Sequence, residues 1–211
     1  MSEHQLREQI ATFGKSLFDR GYTCGSSGNI SVRLDDGMLI TPTNSCLGRL
    51  DAGRISKVDW DGNVLAGDKP SKEAPLHLAR YAARPGDGSV VHLHSTWAVA
   101  ASGLADVDPA DVLPAATPYY IMRVGRLPLV PFFPPGDDRL ADHVASLAKE
   151  CRAVLLANHG PVIAAHDLEA AVTAAEELEE NAKLLFILRD RQASFLTPEQ
   201  RDEVQRRFPN R

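Results

Sequence analysis

The sequence predicts an α/β fold, a three-layer α/β/α sandwich whose central sheet is mostly antiparallel. Turn signals at Asp35-Asp-Gly37 and Asp61-Gly-Asn63 sit between short β-rich runs, which marks hairpins and therefore antiparallel pairs. Downstream, segments of helical periodicity alternate with apolar runs of strand length, the order expected when helices pack on a sheet. Neither an internal repeat nor a linker interrupts the chain, so residues 1–211 read as a single domain.

The elements follow in order. Leu6, Ile10, Phe13 and Leu17 recur at helical spacing and Gly21 stops the helix. Cys24 to Asn29 is a turn-rich loop. Ile30 to Leu34 pairs with Met38 to Thr41, and Ile55 to Trp60 with Val64 to Ala66. Pro70-Ser-Lys-Glu-Ala74 opens a helix to about Ala83, with Ser71 as its cap. Ser89 to His94 is a β-rich run, followed by a helix through Ala101. The proline-rich middle, residues 106–136, has no periodicity to assign. Asp137 to Glu150 is a helix, Ala153 to Leu156 a buried strand, and Pro161 to Ala165 a second strand entered through the Asn158-His-Gly160 turn. Asp167 caps a long helix to about Asp190, and Thr197 to Gln200 starts a terminal one.

Charge excludes one class of function. The net charge is −5, and no basic stripe of the kind a nucleic-acid binder carries is visible. The densest basic cluster, Arg201, Arg206, Arg207 and Arg211, is interleaved with Glu199, Asp202 and Glu203. Cys24, Cys46 and Cys151 are odd in number and widely spaced, a reduced intracellular pattern. With no apolar run of membrane-spanning length and no signal segment at the start, a cytoplasmic protein without a membrane partner is expected.

His92-Leu-His94 is the sharpest chemical feature. Residues two apart on a strand share a face, so both imidazoles can reach one ion while Leu93 turns away. His159, in a tight turn behind an apolar strand, is the natural third ligand, and three nitrogens with an open position are what a catalytic zinc site uses. A purely structural pair of strand histidines is the alternative. A Glu73–His77 metal pair would leave His92 and His94 without a purpose. His4, His77, His143 and His166 read as surface residues. Glu73, in the first turn of its helix, is either a carboxylate favoured by the helix dipole or a general base beside the metal, tuned to exchange a proton near neutral pH. Ser26-Ser-Gly-Asn29, Thr43-Asn44 and Ser71-Lys72 are three polar loops able to converge on one anion such as a phosphate.

Ser27-Gly-Asn-Ile-Ser31, Ile40-Thr-Pro-Thr43, Ser71-Lys-Glu73, His92-Leu-His94 and Asn158-His-Gly160, in this order, resemble the motifs of the class II aldolase and adducin-head superfamily. The resemblance runs from the opening helix to about Asp190. It implies one Zn2+ per subunit, or another divalent metal, on His92, His94 and His159, with Glu73 as a further metal contact or the acid/base. It implies substrate phosphate binding by Asn29, Thr43, Asn44, Ser71 and Lys72. It also implies a homotetramer with active sites at subunit interfaces, where a neighbour's tyrosine donates a proton. Tyr119 and Tyr120 are adjacent candidates, and the match of Thr117 to Gly125 favours Tyr119. Lys72 stands where aldolases carry a small hydroxyl residue, and Asn44 where they carry glycine. With Pro118 to Met122 and Val124 to Pro128, the chain looks most like the branch that decarboxylates 3-oxo-tetronate 4-phosphates to dihydroxyacetone phosphate and CO2. The implied partner is a small phosphorylated sugar acid or sugar. A sugar-phosphate aldolase or epimerase is the alternative, and a non-catalytic adducin-like module the last reading. Arg123 and Arg126 are open between a substrate carboxylate and the surface.

Overall fold

A computed structural model describes residues 1–134 and 136–209, with the side chain of Asp138 left aside; Arg211 of the basic cluster lies outside the described residues. Among the described residues eight strands form one sheet: β1 (Asn29–Leu34), β2 (Gly37–Ile40), β3 (Ser56–Asp59), β4 (Val64–Ala66), β5 (Ser89–His92), β6 (Leu129–Val130), β7 (Ala153–Leu156) and β8 (Gly160–Ala165). Their order is β4-β3-β2-β1-β5-β8-β7-β6. Every pairing is antiparallel except β6 with β7, so the sheet is mixed but mostly antiparallel.

The helices are α1 (Glu3–Asp19), α2 (Ala74–Ala83), α3 (Thr96–Ser102), α4 (Pro118–Arg123), α5 (Asp138–Ala148), α6 (Leu168–Leu188) and α7 (Pro198–Arg207). Three caps explain where helices begin. Ser2 and Gln5 form a capping box on α1, Asp167 accepts from Ala170 N on α6, and Thr197 and Gln200 form a second box on α7. Among the described residues no helix is long and apolar enough to cross a membrane.

The two-residue alternation of the strands divides the core. Ile30, Val32, Leu39, Val91, Leu93 and Ile163 pack with α1, α3, α4 and α6 residues such as Leu17, Ala98, Ile121 and Leu178. Met38, Ile40, Val58, Val90, Val154 and Val162 pack with Leu76 and Tyr81 of α2 and Leu140 and Val144 of α5. Adjacent strand residues enter different clusters, as the pleat requires.

Two sequence expectations are corrected. Ser71 does not cap α2. The helix begins at Ala74 with Glu73 in the cap position and no side-chain cap bond, while Ser71 Oγ accepts from Glu73 N at 3.2 Å. The Pro75 ring fits this first turn, where a backbone N–H would be unpaired anyway. The proline-rich middle contains α4 and β6. Two residues of strand, pairing in parallel with a segment far along the chain, leave no local period to detect.

Candidate active site

β5 ends at His92, so His94 lies beyond the strand rather than on it, which corrects the expectation that both ride on β5. The pairing persists weakly: Leu93 N donates to the Pro161 carbonyl at 3.3 Å. Leu93 therefore stays buried in the α1/α3/α6 cluster, and the two imidazoles remain together with ring centroids 4.9 Å apart. His159 arrives from the β7–β8 turn. Asn158 takes a left-handed φ of 54°, and Gly160 sits at φ 146°, where a Cβ would lie 2.2 Å from the Leu93 oxygen. Only glycine allows the two histidine-bearing segments this close.

The His159 ring centroid lies 4.8 Å from that of His92 and 4.7 Å from that of His94. One nitrogen from each ring lies within 4.8 Å of the others, a spacing that can surround one ion. His92 Nδ1 donates to the Pro161 carbonyl at 2.9 Å, which leaves its Nε2 bare in the neutral ring and 3.1 Å from His94 Nε2. Burial, reinforced by the His92 ring, pushes His94 and His159 down to about 4, so both hold the neutral, ligating form at neutral pH.

Glu73 closes the group. Its Oε2 accepts from Asn29 Nδ2 at 2.6 Å and lies 3.5 Å from His92 Nε2, while Oε1 lies 3.4 Å from His159 Nε2. Among the described residues Oε1 is buried without a hydrogen-bond partner. An orphaned carboxylate oxygen beside three ring nitrogens fits a divalent cation. Burial by itself raises the Glu73 carboxyl, but the neighbouring His92 charge and the Asn29 donor outweigh it and hold the group at about 2. Glu73 is thus an ionised carboxylate at rest, not one tuned toward neutral pH.

These shifts give the metal-free protein an acid-sensitive stability. His94 and His159 are neutral in the fold but take protons near 6.5 when unfolded, so between about 6.5 and about 4 the unfolded chain binds more protons. Glu73 extends the loss from 4.5 toward about 2. Thermal melts in chelator should show Tm falling as pH drops below about 6.5; a flat Tm down to about pH 4 would contradict the assignment.

Beside the imidazoles lies a cleft of about 380 Å³, lined by Asn29, Thr43, Asn44, Ser71, Lys72, Glu73, His94 and His159 together with Ser26 and Ser27. All three polar loops reach it, and His92 lies beneath at 1% exposure. Asn44 adopts φ 57°, a left-handed conformation that glycine takes freely and asparagine tolerates, so the chain keeps the loop shape while adding an amide. Tyr119 is 59% exposed and does not line the cleft, whereas Tyr120 is wholly buried with its hydroxyl unpartnered among the described residues. Arg123 is exposed at the end of α4, and Arg126 pairs with Glu150 at 2.7 Å. His77, expected at the surface, is fully buried and bonded to Asn29 and Ser31. Its four-residue spacing from Glu73 and Tyr81 was the signal available in the sequence.

A mostly antiparallel α/β sheet carrying three convergent imidazoles and a carboxylate at the mouth of a polar cleft defines a class. Residues 8–186 match the class II aldolase and adducin N-terminal domain, and the chain belongs to that family. Within it, the chain is 53% identical over 196 residues to the 3-oxo-tetronate 4-phosphate decarboxylase of Escherichia coli strain K12, covering 92% of each chain. It superposes on the crystal structure of YgbL from Escherichia coli with a TM-score of 0.94 at 50% identity, covering 96% of this chain and 99% of that one. An L-fuculose 1-phosphate aldolase gives a TM-score of 0.86 at 28% identity, covering 97% of this chain and 96% of that one.

Proposed function

We propose that the protein is a zinc-dependent lyase that decarboxylates a 3-oxo-tetronate 4-phosphate to dihydroxyacetone phosphate and CO2. The observation that carries this reading is the single cleft joining three anion-suited loops to the His92–His94–His159–Glu73 group. Identity of 53% to a decarboxylase of that name supports the substrate. In this reading Asn29, Thr43, Asn44, Ser71 and Lys72 hold the 4-phosphate, the hydroxyls, side-chain amides and backbone N–H groups by hydrogen bonds and Lys72 by charge. His92, His94 and His159 hold the metal, with Glu73 beside them. Bound zinc supplies Lewis-acid stabilisation of the negative charge that develops as CO2 departs. The C1–C2 bond breaks with its electron pair left on the three-carbon fragment as an enediolate. A solvent-derived proton then reaches C2 through Glu73, or through Tyr119 of a neighbouring subunit.

The same reading takes the fold as a three-layer α/β/α sandwich, supported by the two apolar clusters that separate α1, α3, α4 and α6 from α2 and α5. It takes residues 1–211 as one domain, assembled as a cytoplasmic homotetramer in which the 59% exposed Tyr119 faces a neighbour's cleft.

The test is to give the zinc-loaded protein 3-oxo-tetronate 4-phosphate, generated in place, and to follow CO2 and dihydroxyacetone phosphate together. Stoichiometric release of both, abolished by chelator, is expected. Likeness to the L-fuculose 1-phosphate aldolase favours aldol cleavage as the second reading. That reaction evolves no CO2, so product analysis separates the two. Lys72→Ser is expected to raise KM roughly tenfold with kcat little changed, the loss of one hydrogen bond to a charged group at about 1.5 kcal/mol. An unchanged KM would remove Lys72 from the phosphate site.

A further inference from the structure

His77 lies at the middle of a buried chain of side chains between α2 and β1. Asn29 and Ser31 are two apart on β1, and Glu73, His77 and Tyr81 recur every four residues at and along α2. Two residues of strand and four of helix each advance about 6–7 Å, so the two series stay in step. The links are Glu73 Oε2 to Asn29 Nδ2 at 2.6 Å, Asn29 Oδ1 to His77 Nε2 at 2.6 Å, His77 Nδ1 to Ser31 Oγ at 2.7 Å, and Ser31 Oγ to Tyr81 Oη at 2.8 Å. Asn29, Ser31, Glu73, His77 and Tyr81 are all buried.

The carboxylate at one end fixes the direction of every link. Asn29 Nδ2 donates to Glu73 Oε2, so the Asn29 oxygen faces His77 and can only accept. His77 therefore carries its proton on Nε2, and the neutral ring leaves Nδ1 to accept from the Ser31 hydroxyl. Ser31 has spent its one proton, so Tyr81 donates to it. Burial holds His77 neutral by pushing it down to about 3, and burial keeps the Tyr81 phenol protonated. Reversing any link would set two donors or two acceptors face to face inside the protein.

We propose that His77 is a positioning residue: its Nε2–H locks the Asn29 amide so that Asn29 Nδ2 holds Glu73 Oε2 and leaves Oε1 turned toward the imidazoles. Tyr81 and Ser31 serve it by keeping the ring in the Nε2–H tautomer. The inference rests on the reading of Glu73 as the proton-moving group. It also accounts for Asn29, whose oxygen and one N–H are committed to this chain, leaving a single N–H for a substrate in the cleft.

The test compares three variants of the zinc-loaded protein with wild type, each checked for metal content and Tm. His77→Leu is expected to lower kcat roughly 10–100-fold, the usual cost of losing an outer-shell partner, with KM within about threefold and the metal retained. A glutamine amide can place its nitrogen near the position of Nε2, so His77→Gln should recover most of kcat. His77→Asn, whose shorter side chain reaches only to the level of Nδ1, should not. Unchanged kcat in His77→Leu, or equal rescue by asparagine and glutamine, would overturn the proposal. Should the leucine variant fail to fold, the glutamine–asparagine contrast still decides.

A second measurement is independent of turnover. Nitrogen-15 NMR of imidazole-labelled protein, with the His77 signals identified by their loss in His77→Gln, should show the proton on Nε2 and a bare Nδ1. The opposite tautomer sinks the proposal even in an active enzyme. If wild type proves inactive on 3-oxo-tetronate 4-phosphate, the functional reading falls, while the tautomer still decides whether His77 orders Asn29 as described.

Discussion

His94→Ala should abolish metal retention and reduce turnover to background. The residue lies beyond the last hydrogen-bonded position of β5, half-buried at the mouth of the cleft, and it belongs to neither apolar cluster. Removing it therefore takes away one of three ring nitrogens without opening the core. Two imidazoles and the Glu73 carboxylate would remain, one donor fewer than the proposed set, with no further member of the histidine group to replace the lost nitrogen. Metal content should fall from one ion per chain toward none. A fall in kcat of at least roughly 10²–10³-fold is expected, the scale of losing a dominant stabiliser of transition-state charge. The metal-free variant should lose its share of the acid sensitivity between about 6.5 and about 4, because the imidazole removed is one that burial disfavours in its charged form. Full metal occupancy in His94→Ala would break the proposed ligand set.

Glu73→Gln separates proton transfer from metal binding. Glutamine preserves the size of the side chain and can still accept the Asn29 hydrogen bond through its oxygen. The change removes the negative charge and the capacity to carry a proton. Loss of roughly 10²–10⁴-fold in kcat is expected, the usual worth of a positioned acid or base, with metal content largely kept. The same variant should lose the part of the acid sensitivity that Glu73 contributes between 4.5 and about 2. Turnover at the wild-type rate would assign the proton to another group, with Tyr119 first in line.

What the sequence made legible follows physical range. Hairpin turns, the cap of α6 and the buried strands around the Asn158-His-Gly160 turn are local signals, and all appear in the structure. The histidine trio was legible because each member sits beside a recognisable strand or turn. His77 was not. Four-residue spacing of polar groups on a helix looks like a solvent face until β1 arrives, 48 positions away, with Asn29 to meet it. The end of β5 was hidden for a similar reason. Alternation continues through His94, while the ladder between β5 and β8 ends at His92 opposite Val162. The low value at Glu73 depends on the His92 charge and the Asn29 amide, neither of which is near it in the chain.

The contact between Gly160 and the Leu93 carbonyl has a consequence for how this sequence can drift. His94 follows one of the touching residues and His159 precedes the other, so the two imidazoles share a hinge pin. Every replacement of Gly160 brings a Cβ into the space of that carbonyl, and relief must shift both histidines together. Random substitution at this position cannot adjust one without the other. The surrounding loops, such as Ser71-Lys72 and Thr43-Asn44, carry no such constraint from Gly160 and can change shape at the cleft while the imidazoles stay in place.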